Sequence, residues 1–440
     1  MVQQGITNFV NMLDNIMIGR VGTDEMSGVA IVNELLFVFN LCIFGMISGI
    51  GIFTAQLYGK GDEKGVRYTM RLQLMAGAVI AVGGFLILSL FGDNLIPLFL
   101  TQDNGAGDVE RTYHFATQYL QMMFLGFLPF ALTQGYAGAL RSTSETRLPM
   151  ISGIIAVAVN LIGNYILIFG KLGAPALGVL GAAIATVISR FVELVFLMTR
   201  THLRTDAYPF VKGLYRSLYV PLDLVKRCLL KGLPLMINEA LWAGGMATLT
   251  QNYSLRGLSV IAAMNITLTI GNVFNISFIA MGNAIGILLG QLLGAGKLGQ
   301  AKEDAIKLAV FSTLICVGTG ALLFVVAPLF PQFYNTTDDI RAVATSLIRV
   351  SALCMPLYAL ANAAYFILRS GGRILVVFLF DVLFVWVIQI PAAAVLIRTT
   401  SLTIVMIFFV VEFLNLVKCI SGMILVHKGV WVRNIAVYEE

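Results

Sequence analysis

The chain has 440 residues, 58% of them hydrophobic and only 12% charged, with a mean hydropathy of +0.88 and a formal net charge of +6. Soluble domains carry about 25% charged residues, so a water-facing globule is excluded and the chain's solvent is lipid. The positive balance is spread over connections between apolar runs, which argues against a nucleic-acid partner.

Spans of about 20 apolar residues recur along the whole length, and helix is the open-chain structure that satisfies its own backbone in hydrocarbon. Twelve helices are predicted. The first six lie near 1–19, 26–57, 68–91, 113–140, 148–170 and 178–199, and the second six near 230–254, 258–292, 303–330, 343–368, 374–398 and 402–426. The organisation expected is an N-lobe over 1–199, a basic cytoplasmic linker over 200–229, a C-lobe over 230–427 and a cytoplasmic tail over 428–440.

The first segment has Gln, Asn and Asp where a cleavable leader would be apolar. Asp14 stands there beside a polar line of Gln4, Asn8, Asn11 and Asn15 on one helical face. In the fifth span Asn160 and Asn164 are one turn apart. Thr186 follows Gly181-Ala182-Ala183-Ile184-Ala185, small residues that permit close helix contact. One carboxylate and several neutral oxygens suit a proton or a sodium ion, and they equally suit inter-helix hydrogen bonding.

Ionisable groups at mid-membrane are costly, about 2.5–3.5 kcal/mol on insertion scales, and the second half has its own. Glu239 lies in the seventh span and Asp381 in the eleventh, each read as a lone acid, and Asn265, Asn272 and Asn283 share a face of the eighth. Glu193 is expected to pair with Arg190 one turn back. Pro129 precedes Arg141, and Pro356 precedes Arg369, by nearly the same interval, which predicts matching bends in the two halves. The five cysteines are scattered and read as small core residues.

Orientation follows from the basic residues. Of the 29 lysines and arginines, 20 fall in alternate connections and the tail, six in the intervening connections, and Arg190, Arg349 and Lys418 within spans. Both termini are therefore expected in the cytoplasm.

The chain also repeats itself. Gly51-Ile52-Phe53-Thr54-Ala55-Gln56-Leu57-Tyr58-Gly59-Lys60-Gly61 returns in the second half as Gly286-Ile287-Leu288-Leu289-Gly290-Gln291-Leu292-Leu293-Gly294-Ala295-Gly296. The register holds without a gap from Gly22 against Gly257, with identities that include Phe39/Phe274, Asn40/Asn275, Met46/Met281 and Gln56/Gln291. Leu140-Arg141-Ser142 is echoed by Leu368-Arg369-Ser370. Duplication inside an apolar chain is typical of secondary transporters, and an even number of spans per half predicts two lobes related by a pseudo-two-fold axis along the membrane normal. The glycines around Gln56 and Gln291 are expected to end helices and to allow close backbone approach.

No enzyme signature is present: the histidines lack metal-ligand spacing, and there is no phosphate-binding loop, so an ion gradient is the expected energy source.

Several stretches together resemble the multidrug and toxic compound extrusion (MATE) transporters: Asp14-Asn15-Ile16-Met17-Ile18-Gly19-Arg20-Val21-Gly22, Gln56 through Asp62, Leu140-Arg141-Ser142 with Thr146 through Pro149, Asn160 through Gly170, and Leu177 through Thr186. The resemblance covers nearly the whole chain. It implies an all-α polytopic membrane protein of twelve transmembrane helices in two six-helix lobes, exporting amphipathic, cationic drugs or metabolites in exchange for H+ or Na+ by alternating access. It implies an ion-coupling site at Asp14, Asn160, Asn164 and Thr186, with Asp14 the candidate sodium ligand, and a cargo site using Glu239, Asp381, Asn265 and Asn272. Asn164 departs from the family pattern, where a second acid is common, and this lowers the charge of the site. Asp14 stands closer to the first residue than the family's first helix leads one to expect, which implies an internal or shortened start. The expected protein is a monomer of the inner (cytoplasmic) membrane, with no cofactor beyond its coupling ion and no partner beyond cargo and bilayer. The alternatives are a lipid-linked saccharide flippase of the same superfamily and, from another class, a gated channel.

Overall fold

The computed structural model describes residues 17–99, 108–334 and 336–436, and every regular element among them is helical. They form α1 (Thr23–Lys60), α2 (Glu63–Leu95), α3 (Val109–Ser142), α4 (Arg147–Phe169), α5 (Val179–Leu203), α6 (Leu222–Ser254), α7 (Leu258–Gly294), α8 (Leu298–Val326), α9 (Asp338–Ser370), α10 (Ile374–Thr399) and α11 (Ile404–His427). These correspond to the second through twelfth predicted spans. The first falls almost wholly outside the described residues, and Asp14 with it. Ten described helices are long and apolar enough to cross a bilayer; α6, with Asn238 and Glu239 near its middle, is outside that set.

The chain divides into two compact bodies. One comprises the described part of Val2–Thr54 with Asp62–Met236, and the other Ala55–Gly61 with Ile237–Val437. In the first, α2 packs on α3, α4 on α5, and α3 on α5. Its apolar core is centred on Phe39, Phe127 and Val32, with the Phe39 and Phe127 rings stacked at 4.3 Å. In the second, α7, α8 and α9 pack on one another and α9 on α11, around a core that includes Tyr253, Leu347 and Phe408.

The duplicated stretch packs against itself. A β-carbon at Gly59 would lie 2.0 Å from the Gln291 carbonyl oxygen, and one at Gly294 would lie 1.8 Å from the Gln56 carbonyl oxygen. Each motif glycine thus seats on the backbone of the other motif's glutamine, a reciprocal contact that only hydrogen side chains allow. Two residues beyond each, Gly61 (φ +79°) and Gly296 (φ +75°) take the left-handed conformation that ends α1 and α7. After Gly61, Asp62 caps α2 by accepting from the Gly65 N–H at 2.8 Å.

The tail is more than an appendage. Gln56 is fully buried; its Nε2 donates to the carbonyls of Ser370 (2.9 Å) and Arg433 (3.2 Å), and its Oε1 accepts from the Ile435 N–H (2.7 Å). Trp431 is buried completely and its indole N–H donates to the Val426 carbonyl. Asn434 donates to the Gly294 carbonyl. The tail therefore satisfies the polar groups that the α1 and α7 ends would otherwise bury unpaired.

Three expectations change. Helices α3 and α9 run to Ser142 and Ser370, so Arg141 and Arg369, expected in connections, are helix residues, and Arg369 is buried. The connection between the halves is 204–221 rather than 200–229, because α6 starts immediately after Pro221. It is held in place by α2: Arg71 donates to the carbonyls of Gly213, Leu214 and Tyr219, and Arg67 to those of Pro209 and Phe210. Finally, the two prolines do not act alike. A 3-10 turn at Phe124–Gly126 interrupts α3 just before Pro129, while α9 continues through Pro356.

Candidate functional site

Polar side chains gather at one place in each body. In the first, α4 and α5 approach closely because Gly163 and Gly181 present no side chain: a β-carbon at Gly181 would meet the Leu167 carbonyl at 2.5 Å, and one at Gly163 the Ala185 β-carbon at 2.9 Å. This brings the predicted oxygens together. Asn164 Nδ2 donates to Asn160 Oδ1 at 3.3 Å, Asn160 Nδ2 donates to Thr186 Oγ1 at 3.1 Å, and Thr186 Oγ1 donates to the Ala182 carbonyl at 3.0 Å. Both asparagines are buried, at 7% and 1% exposure. The result is a row of neutral oxygens inside spanning helices. Asp14, the carboxylate expected beside it, lies outside the described residues.

The cluster in the second body is built on four charges, Glu239, Arg369, Asp381 and Lys418, and here the premise of lone acids does not survive. Glu239 on α6 accepts from the Tyr365 hydroxyl at 3.1 Å, and Arg369, one turn beyond Tyr365 on α9, brings Nη1 within 3.8 Å of the same Oε1. Arg369 Nη1 also donates to the Tyr365 oxygen at 3.4 Å. Asp381 on α10 accepts from Lys418 Nζ of α11 at 2.5 Å and from Asn238 Nδ2 at 3.4 Å. Lys418 also lies over the Phe380 ring, 5.2 Å from its centroid. Asn238 precedes Glu239 in sequence, so the two pairs form one continuous cluster. All four charged side chains are largely buried, between 4% and 13% exposed. Each charge is compensated, and removing one partner of such a pair would strand the other at about 3–5 kcal/mol.

Asp381 owes its position to irregular backbone: α10 runs as a π-helix over Leu379–Leu383 and again over Val385–Gln389. Such wide turns are common where a helix must aim a functional side chain. Trp386, on the second of them, donates its indole N–H to the Leu241 carbonyl and ties α10 to α6. Asn265 and Asn272 stand on an exposed face of α7, and the hydrogen bonds of Glu239 and Asp381 described above go to other residues. A separate acid, Glu412, accepts from the Tyr358 hydroxyl at 2.7 Å and from Asn415.

Glu193 and Arg190, expected as a pair, interact electrostatically without closing an ion pair; Glu193 feels Arg141 as well. The Arg190 guanidinium stands over the Phe130 ring at 4.6 Å. Sequence reasoning misses Asn238, Tyr365 and the partners that Arg369 and Lys418 take. Lys418 is visible as a cation within a span, and Arg369 through its echo of Arg141, but nothing local names a partner so far along the chain.

Comparison with known proteins agrees with this architecture. The family model described as MatE matches residues 1–166 and 234–395. The "Probable multidrug resistance protein NorM" of Thermotoga maritima is 24% identical over 395 residues, covering 88% of this chain and 81% of that protein. The "Probable multidrug resistance protein YoeA" of Bacillus subtilis is 24% identical over 409 residues, covering 92% and 85%. Among solved structures, "Crystal structure of MATE in the bent conformation" superposes with a TM-score of 0.84 at 17% identity, over 98% of this chain and 93% of that one.

Proposed function

The chain belongs to the MatE family of membrane transporters, and from that premise we propose that it exports amphipathic, cationic drugs or metabolites in exchange for H+ or Na+ by alternating access. The observation that carries this reading is the row Asn164–Asn160–Thr186, buried neutral oxygens within spanning helices where simple packing would favour apolar groups. With Asp14 of the first span, the row forms a site whose charge is removed by a proton or by sodium. Removal of a buried charge alters how the helices around it pack, and so shifts the balance between two access states. The gradient supplies the work, about 2.3 kcal/mol per elementary charge per 100 mV.

In this reading Glu239 is the cargo-facing acid of the second half. Arg369, at 3.8 Å, lies beyond hydrogen-bonding distance from it, so a cationic group on the cargo can share the carboxylate. Glu239→Gln should weaken binding of a cationic dye by about tenfold, the order expected for a hydrogen bond to a charged group, and that of a neutral dye of similar size by less than about twofold. Because this change leaves Arg369 uncompensated, it is compared with Glu239→Gln/Arg369→Gln, which keeps the charge balance. Equal affinity for both dyes in both variants would return Glu239 to a structural role.

The protein is proposed to work as a monomer in the cytoplasmic membrane with both termini inside. Cysteines introduced one at a time should report this. A cysteine at Lys212 should resist a membrane-impermeant maleimide added to intact cells, and one in 100–107 should react. Labelling at Lys212 from outside would overturn the orientation.

A further inference from the structure

The connection between the halves is basic, yet much of what it turns outward is apolar. Phe210, Val211 and Leu214 are buried and, with the carbonyls bonded to Arg67 and Arg71, fix its path over the start of α2. The next large side chains behave differently: Tyr215, Leu218, Tyr219 and Leu222 are each 57–69% exposed. The two tyrosines are held in place. The Tyr215 hydroxyl meets that of Tyr136, the His202 ring stacks on the Tyr215 ring at 5.5 Å, and Tyr68 meets Tyr219 edge-on at 6.3 Å. Four large apolar or aromatic side chains ordered and exposed within eight residues mark a surface that something other than water covers.

The position of the connection says what that is. It follows α5 and packs on the start of α2, both of them spanning helices, so it lies where spans leave the hydrocarbon. Tyrosine is enriched at that level because its ring is apolar and its tip is polar. The exposed line continues into α6, where Leu222, Lys226 and Leu230 are four apart on one face. A lysine between two leucines can lay its stem on apolar surface and carry its ammonium out to the headgroups. Charge adds the sign of the partner. Between 204 and 227 five lysines and arginines stand against two acids. Arg227 closes a salt bridge with Asp223 at 2.8 Å, and among the described residues no carboxylate pairs with Arg216 or Lys226.

We propose that the surface over 215–226 is a binding site for an anionic phospholipid. Tyr215, Leu218, Tyr219 and Leu222 enter the upper acyl layer, while Arg216 and Lys226 hold the headgroup phosphate. Guanidinium suits a phosphate geometrically, and ammonium suits it as a point charge. A free phosphate would engage the two cations and leave the four apolar side chains in water, so the lipid fits the whole surface and the ion fits part of it. The site depends neither on the cargo nor on the coupling ion.

The test places a fluorescent label on the surface and asks which lipid reaches it. Four native cysteines are buried and Cys42 is half-buried, so Leu218→Cys in a Cys42→Ala background can carry a bimane. The full chain is reconstituted in phosphatidylcholine vesicles containing a small fraction of phosphatidylglycerol or phosphatidylcholine that bears a nitroxide near the top of its acyl chain. The labelled phosphatidylglycerol should quench at a mole fraction several-fold lower than the labelled phosphatidylcholine. Arg216→Gln and Lys226→Gln should each reduce that preference by about fivefold, the worth of one cation at an anionic surface, and together bring the two lipids within about twofold. Arg216→Lys should keep most of the preference, and 1 M salt should weaken it. Equal quenching by the two lipids before any charge is removed would overturn headgroup selection. A preference that survives the double Gln variant would overturn the roles of Arg216 and Lys226. Quenching by aqueous iodide but by neither lipid would put the surface in water, and protection from all three quenchers would put a protein partner on it; either result overturns the proposal.

Discussion

Asp14→Asn protein should fold, insert and bind cargo, yet its gradient-driven efflux should fall by about tenfold or more. The substitution keeps the side-chain volume and removes only the ability to carry a negative charge. If Asp14 is the carboxylate that completes the Asn160–Asn164–Thr186 row, the variant is fixed in the neutral condition that a bound proton would produce. An ion can drive the cycle only through its different affinity for the two access states, and a coupling free energy of about 1–3 kcal/mol corresponds to roughly 5- to 150-fold. Removing the titrating group removes that difference. The dependence of cargo affinity on pH or sodium should disappear with it, while the affinity itself persists. Asn164→Asp in the same background should recover part of the coupling, because Asn164 bonds to Asn160 in the same row. Efflux by purified variant in liposomes under an imposed gradient measures this, and wild-type rates would transfer the coupling role to the acids of the second half.

The second large effect is expected at the crossing of the duplicated stretches. Gly59→Val or Gly294→Val should abolish assembly of the folded protein, or leave it folded with no measurable transport. The obstructing atoms are backbone carbonyls 2.0 Å and 1.8 Å from the new β-carbon, which cannot turn aside as a flexible side chain could. Overpacking in a well-filled interior costs about 1–3 kcal/mol even where side chains can adjust, and here two helices would have to separate. Separation would also pull Gln56 from its three partners around the tail. Gly61 and Gly296 are informative controls. Each is conformationally special but meets no atom within 4 Å, so Gly61→Asn and Gly296→Asn should be tolerated, because asparagine enters the left-handed region at small cost. Monodispersity on gel filtration and thermal stability in detergent would separate the two classes. Wild-type stability in Gly59→Val would show that the crossing opens without consequence.

The repeat at Gly51–Gly61 and Gly286–Gly296 is legible because its packing needs small residues at fixed positions, and that requirement is written directly in the letters. The row Asn160–Asn164–Thr186 is legible for a similar reason: a spacing of four puts two amides on one face, and the strip from Gly181 to Ala185 announces a close neighbour. Helix ends are harder. A charged residue after an apolar run looks like the start of a loop, so Arg141 and Arg369 read as parts of connections. In the fold, tyrosine, phenylalanine and glutamine neighbours let the helix carry its arginine into the protein. The pairing of Glu239 with Arg369 and of Asp381 with Lys418 is not written in the sequence, because contacts between α6, α9, α10 and α11 depend on tertiary packing that has no local spacing. The same holds for the tail, where Trp431 is apolar enough to suggest burial but gives no destination.

The most direct test of the whole account is transport by the unmodified protein. Purified chain would be reconstituted into liposomes loaded with an amphipathic cationic dye and given, in turn, an inward proton gradient, an inward sodium gradient, or neither. The account predicts dye export that exceeds the gradient-free leak under one of the two gradients and collapses when an ionophore for that ion is added. Export indifferent to both gradients, or a macroscopic ionic conductance in their place, would contradict it.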